Sequence, residues 1–152
     1  MKLRLFTKAD IHDLWEWRND EGTRLNSRET APVELTTHEQ WCARSLVNPD
    51  RTIFIAEAGR EKIGMIRFDR ISGVPAFRIS IIVAPGRRGG GHGRAMLEAG
   101  CKALLAQSGA AQIEAEIRSS NVASRRVFEA CGFRFDETRA DGAFLTYVRQ
   151  NN

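Results

Sequence analysis

Val83-Ala84-Pro85-Gly86-Arg87-Arg88-Gly89-Gly90-Gly91-His92-Gly93-Arg94 is the stretch on which the fold of this chain turns. A nearly all-apolar run, Ile79-Ser80-Ile81-Ile82-Val83, leads into it, and Pro85-Gly86 stops that run. A long helix is expected to follow, over about residues 91–107. Strand, glycine-rich turn and helix in that order offer an anion the unpaired N–H groups of a helix start, and the helix dipole adds to the attraction. Five of the eight residues from Gly86 to Gly93 are glycine. That composition costs backbone entropy, so it points to close approach of a ligand more than to a simple corner. Three nucleotide-binding patterns compete. A P-loop closes on Gly-Lys-Ser/Thr, and here His92 follows Gly91. A dinucleotide GxGxxG begun at Gly89 and Gly91 requires glycine where Arg94 stands. Arg-x-x-Gly-x-Gly remains, satisfied by Arg88, Gly91 and Gly93.

Outward from the turn, the chain alternates element types with no internal repeat. Residues 2–6 alternate as a strand, and Thr7 with Asp10 opens a helix to about Asn19. Residues 20–32 are polar and irregular and are expected to be a loop on the substrate side. Thr36-Thr37-His38-Glu39 reads as a capping box that opens a helix to about Val47. Residues 51–58 and 62–70 form two strands around Gly59. A third strand spans 75–83, and its apolar half is expected to be central and covered on both faces. Residues 111–117 form another strand. A helix over 121–131 has Asn121 as N-cap and Gly132 as its stop. Residues 133–138 and 144–149 close the chain as a hairpin around Asp141-Gly142. The pattern is one α/β (α+β) domain over 1–152, a mixed sheet with helices on its faces.

Composition bounds the function. The 152 residues suffice for one domain with a sizeable core. With 42% hydrophobic and 28% charged residues, the chain has the makeup of a soluble globule. No apolar run is long enough to span a membrane, and the N-terminus lacks a signal peptide's apolar stretch and cleavage site. A cytoplasmic location and no membrane partner are expected. The net charge is +4, carried by 19 Arg against 4 Lys. The arginines are scattered and no nucleic-acid module is present, so a few of them are expected to meet a small anionic ligand instead of nucleic acid. Cys42, Cys101 and Cys131 form no CxxC pair and are odd in number, which argues against a disulfide framework. Each reads as a small buried hydrophobe, Cys131 being the best placed for a nucleophile. No metal is expected.

Two motifs resemble those of the GNAT family of N-acetyltransferases. Val83-x-Pro85-x-x-Arg88-Gly89-x-Gly91-x-Gly93 matches its pyrophosphate-binding turn. Asn121-x-x-Ser124-x-x-x-Phe128-x-x-x-Gly132-Phe133 matches its second motif, the helix flanking the cofactor's thiol end. The resemblance implies a mostly antiparallel sheet of about seven strands, splayed in the middle and flanked by about four helices. It implies acetyl-CoA as cofactor, with the pyrophosphate on the backbone amides of Arg88, Gly89, Gly90, Gly91, His92, Gly93 and Arg94. Ile82 and Val83 would run beside the pantetheine arm, and Asn121, Ser124 and Phe128 would flank its thiol end. Dimers are common in such a family, so a homodimer is allowed for.

The implied reaction is direct transfer of acetyl to a primary amine, which must first lose a proton to a base. Glu116 is the candidate base. Its segment, Glu116-Ile117-Arg118-Ser119-Ser120-Asn121, is similar to that of bacterial ribosomal-protein alanine acetyltransferases, where the matching glutamate serves as base. Glu114 shares its strand face. Two such carboxylates would raise each other's pKa, or they are simply solvated. Phe128 stands where many relatives carry a tyrosine acid. Tyr147, the only tyrosine, lies far along the chain. Asn121 either bonds the cofactor arm or caps its helix.

Trp15-Glu16-Trp17-Arg18, His38-Glu39-Gln40-Trp41 and Gly64-Met65-Ile66-Arg67 resemble segments of acetyltransferases acting on nucleotide-linked amino sugars. On that reading Trp17 or Trp41 stacks on a sugar or base, and Arg18 or Arg67 meets a diphosphate. The plainer reading makes Trp15 and Trp41 helix core residues, and it is favoured for Trp15. A protein N-terminus or small amine is the rival acceptor, and a non-catalytic acyl-CoA-binding module the rival class. Arg78 stands where some relatives carry an acid.

Overall fold

In the computed structural model, which describes residues 1–139 and 141–151, seven strands pair into one sheet. They are β1 (Lys2–Leu5), β2 (Arg51–Ala58), β3 (Glu61–Arg70), β4 (Ala76–Val83), β5 (Gln112–Arg118), β6 (Arg134–Phe135) and β7 (Phe144–Gln150), ordered β1-β2-β3-β4-β5-β7-β6. Every neighbouring pair is antiparallel except β4 and β5. Five helices accompany the sheet: α1 (Ile11–Asn19), α2 (Glu21–Leu25), α3 (Leu35–Leu46), α4 (His92–Ser108) and α5 (Val122–Ala130).

The parallel pair fixes the architecture. β4 and β5 are in register only at Ala76↔Gln112, Phe77↔Ile113 and Arg78↔Glu114. Beyond Arg78 and Glu114 both strands continue, β4 to Val83 and β5 to Arg118, but they part company. Residues 79–83 of β4 therefore face an opening on the β5 side. The apolar half of β4 is central and packs on both faces, Ile79, Ile81 and Val83 against one cluster and Ile82 against the other; the opening lies along its edge. Ile81, Ile82 and Val83 are only half-buried, because the splay leaves them a solvent-facing flank.

Strand alternation sends side chains to two faces. One face carries Phe54, Ile66, Phe68, Phe77, Ile79, Ile113, Ala115 and Ile117, and it is closed by Met96, Leu97, Cys101 and Leu104 of α4 and Phe128 of α5. Gly100 lets α4 lie close to the sheet, since a Cβ there would come within 3.1 Å of Ile66. The other face presents Ile53, Ile55 and Met65 to Leu14 and Trp17 of α1 and Cys42 of α3.

Three local expectations change. Residues 20–32 are not all loop, because Asp20 caps α2 by accepting a bond from Thr23 N at 3.2 Å. One and a half turns carry too little periodicity to be seen in the sequence. α3 starts at Leu35 with Glu34 as N-cap, ahead of the expected capping box. Asn19 explains the early start: its amide holds Val33 by both backbone groups, at 2.8 Å each, and so sets the entry to the helix. The strand expected over 133–138 pairs only at Arg134 and Phe135, and Glu137–Arg139 is a 3-10 turn. The tip at Asp141 and Gly142 does turn, with Asp141 bridged to Phe144.

Candidate active site

The glycine turn sits at the open end of the splay. Gly89 and Gly91 take φ of +84° and +77°, a conformation that costs other residues about 1–2 kcal/mol. The space where their Cβ atoms would stand is open. Gly91 caps α4, so the amides of His92, Gly93 and Arg94 have no partner within the helix. Arg88 turns its side chain away from the turn. It meets Asp20 at 2.8 Å and the Thr23 hydroxyl at 2.7 Å, tying the turn to the α1–α2 junction. Burial works against the Asp20 carboxylate, but the Arg88 guanidinium and the Thr23 N–H hold its pKa below the ordinary value.

Asn121 is the N-cap of α5, its carbonyl oxygen accepting from Ser124 N at 3.2 Å. Phe128 is buried and packs edge-on against Phe133, ring centroids 5.0 Å apart. Tyr147 is also buried and lies on the α4–α5 face, paired in register with Ala115. Its hydroxyl donates to Glu129 at 3.0 Å and accepts from Arg125 at 3.1 Å. It is therefore on the opposite side of the sheet from Glu116. All three cysteines are buried. Burial pushes the Cys42 and Cys101 thiols up to about 11 and raises that of Cys131, so none is a ready thiolate nucleophile.

The face under α1–α3 is unlike an ordinary half-buried sheet surface. Register aligns Arg51, Asp69, Arg78 and Glu114 across β2, β3, β4 and β5 as one row of alternating charge. Arg51 bonds Asp69 at 2.6 Å. In the next row Arg67 reaches Ser80 at 3.2 Å. Glu116, two residues past the last β4–β5 pair, points to this same face.

Both oxygens of Glu116 are engaged. Arg28 bonds Oε2 through Nε at 2.7 Å and also through its terminal nitrogen, and Arg78 approaches Oε1 at 3.2 Å. Glu114 is buried and meets Arg139. The two carboxylates are thus separately paired with guanidinium groups, not set against each other and not simply solvated. Arg28 arrives from the segment after α2, stacks on Phe144 at 4.3 Å and touches Asp141 at 3.0 Å. Trp15 donates to Val33 O at 2.7 Å and Arg118 to Ser27 O at 2.7 Å, pinning this segment at both ends.

The tryptophan expectations are redistributed. Trp17, expected to stack on an acceptor, is 8% exposed and belongs to the core, while Trp15 is half-buried and serves the loop. Helix phase explains the exchange: Leu14 and Trp17, three apart, share the inward stripe. Trp41 is half-buried and forms a platform for Arg51, Arg18 and Arg67 at 4.9, 5.0 and 5.4 Å from its ring centroid. Burial lowers the pKa of His38, and Arg18 lowers it further. Arg18 stands 3.4 Å from His38 Nδ1 and has only donors to offer. Nδ1 must therefore accept, and the proton sits on Nε2, which faces Ile11 O at 3.0 Å.

The sequence singles out Arg18 and Arg67 as acceptor contacts; the structure sets them on this side together with Arg28, Arg51, Asp69 and Ser80, which the sequence does not single out. Alternation along β2 and β3 put polar residues at 51, 67 and 69 in strands otherwise fit for a core, and that was the available signal.

The chain matches the family described as an acetyltransferase (GNAT) domain over residues 1–134. No curated protein is similar enough in sequence to count as a match. Among solved structures, it is similar to spermidine N-acetyltransferase from Vibrio cholerae in complex with CoA and spermine, with TM-score 0.86 and 16% identity over 98% of this chain and 94% of that one. It is similar to ribosomal-protein-alanine N-acetyltransferase from Brucella melitensis, with TM-score 0.82 and 21% identity over 99% and 100%. A putative phosphinothricin N-acetyltransferase is also similar, with TM-score 0.79 and 21% identity over 98% and 97%.

Proposed function

The chain belongs to the GNAT acetyltransferase family and uses acetyl-CoA, and on that premise we propose that it acetylates a primary amine deprotonated by Glu116. The observation that carries the proposal is the position of Glu116 just past the point where β4 and β5 part, on the face away from α4.

The residues present suit the cofactor. The open space beside Gly89 and Gly91 and the free first-turn amides of α4 accommodate a pyrophosphate held by residues 88–94. Ile82 and Val83 lie on the β4 flank that β5 leaves unpaired, where an extended arm finds backbone partners. Asn121 spends its carbonyl oxygen on Ser124 N and offers its side-chain amide N–H groups and the Ser124 hydroxyl to that arm. Phe128, being buried, supplies a wall only. Bound acetyl-CoA supplies an activated acetyl thioester.

Glu116 Oε2 takes the proton of the amine once Arg28 yields it. Arg78 keeps Oε1 and so holds the carboxyl in place. Phe128 has no proton to give, and the Tyr147 hydroxyl is engaged by Glu129 and Arg125, so the departing thiolate takes its proton from water or another group, or needs none. The acceptor we favour is an amino sugar linked to a nucleotide, on the strength of Arg18 and Arg67 lying on this same face. A protein N-terminus or a small amine is the competing acceptor.

Glu116→Gln tests the reading. Release of free thiol from acetyl-CoA is followed with a panel of amino sugars, peptides and polyamines. General-base catalysis contributes about 100-fold or more, so kcat is expected to fall by that factor and lose its dependence on pH. An unchanged kcat removes Glu116 from the mechanism. Tight CoA binding without thiol release on any acceptor overturns transfer in favour of a binding module.

A further inference from the structure

We propose that Arg18, Arg51 and Arg67, gathered on Trp41, bind a phosphate group of the acceptor several bonds away from its amine. The inference rests on the transfer reading above and names what the acceptor must carry.

Charge is the first argument. Three guanidinium groups lie within 5.4 Å of one indole centroid. The carboxylate of Asp69 is shared between Arg51 at 2.6 Å and Arg67 at 2.9 Å, while among the described residues Arg18 has His38 as its side-chain hydrogen-bond partner. His38 stays neutral, because burial and Arg18 both lower its pKa. Glu39, exposed on the next position of α3, is the other carboxylate whose field reaches His38. Among the described residues, Asp69 is the carboxylate paired with these three arginines, and the two positive charges in excess suit a phosphate better than a carboxylate. Burial lowers the pKa of both Arg18 and Arg67, and the neighbouring Arg51 lowers each further. The cluster is held together against its own repulsion, as a prepared anion site is.

Geometry is the second argument. Arg67 Nε is buried and sits 2.9 Å from Asp69 Oδ2, yet it is not aligned for a hydrogen bond there. The Arg67 side chain still keeps 25% of its exposure and Arg51 keeps 22%, so neither is sealed from solvent. Arg67 is in register with Ser80 on β4, and Glu116 lies one strand further on the same face. Two paired-strand spacings amount to about 10 Å, and the parting of β4 from β5 beyond Arg78 and Glu114 widens the gap between the cluster and Glu116 further. An α-amino acid, with one carbon between amine and carboxylate, is too short to reach both. An amino sugar phosphate or diphosphate spans them. A polyamine has no group to offer the arginines and is repelled by them.

The test compares an amino sugar with the same sugar carrying a phosphate, with spermidine as a third arm, at saturating acetyl-CoA. We expect the phosphorylated acceptor to have a KM about 10-fold or more below the neutral one, and spermidine to be poorest, because each charge-assisted bond is worth roughly that factor. Arg18→Gln and Arg51→Gln should each raise that KM about 10-fold with kcat little changed, and Tm should hold or rise as repulsion is relieved. Equal use of the neutral sugar or of spermidine overturns the proposal. So does a fall in Tm with KM unchanged, which would make the arginines mere struts for Trp41. A binding arm separates this from failure of the transfer reading. Inorganic pyrophosphate is titrated into Glu116→Gln protein saturated with CoA, so that the glycine turn is filled, and tryptophan fluorescence is followed. A quench lost in Trp41→Phe and weakened in Arg51→Gln supports the site even where no acceptor turns over. Absence of any quench overturns it.

Discussion

The two faces of one sheet are built from alternate residues of the same strands, yet they obey different rules. Toward α4 and α5, β3 presents Ile66 and Phe68, both 0% exposed, and the face is shut. Toward α1–α3 the residue between them is Arg67, with Asp69 next, and the face carries charge from β2 to β5. Charged groups on central strands cost stability unless each is paired, and the Trp41 cluster is not fully paired. The apolar face holds the fold together, while the charged face gives up some of that stability, on our proposal for recognition of the acceptor.

The largest expected effect breaks the comparison from the apolar side. Phe68→Ala should lower unfolding stability by about 3–5 kcal/mol, as large core truncations do. Urea denaturation measures it, and a loss below about 1 kcal/mol would mean that this face is not the closed one. A smaller effect sharpens the division. Tyr147→Phe removes a hydroxyl bonded to Arg125 and Glu129 on the α4–α5 face. It should cost about 1 kcal/mol and leave kcat unchanged. A kcat that falls with Tyr147→Phe would place a proton donor on the wrong side of the sheet.

The smallest effect is a pH dependence from the charged face. His38 faces Arg18, Glu39, Cys42 and Ile11 O, and its folded pKa lies below the ordinary 6.5, burial being the main cause. The unfolded chain therefore binds the proton more readily, so stability is fully present above pH 6.5 and is lost as pH falls through the lowered folded value. Melting temperatures between pH 7.5 and 5.5 should decline in the native chain and decline less in His38→Gln. Equal declines would remove His38 as the cause.

How much of this was legible in the sequence follows from how far apart the cooperating residues are. The β4–turn–α4 unit is contiguous, so the glycine turn and its helix could be seen directly. Glu116 was within reach for the same reason, since Asn121 lies five residues on. Arg28 meets Glu116 across 88 positions, and no local pattern announces that pair. Arg51, Asp69, Arg78 and Glu114 each looked like an ordinary polar alternate, and their row exists only through pairings among four strands. Trp15 and Trp17 changed roles for a similar reason. Both lie on α1, and which ring faces the core depends on a helix phase that packing sets, not composition.

The parting of β4 from β5 also bears on how the protein avoids sticking to itself. An unpaired strand edge at the rim of a sheet is a template on which other chains can add a strand and begin to aggregate. Here the unpaired edge of residues 79–83 lies in the interior of the sheet, with β5 standing across the opening and α4 behind. A neighbouring polypeptide, with side chains on both sides of its backbone, would have to enter between two strands of one sheet to pair with it. Those hydrogen-bonding groups therefore favour a thin, extended molecule over another chain.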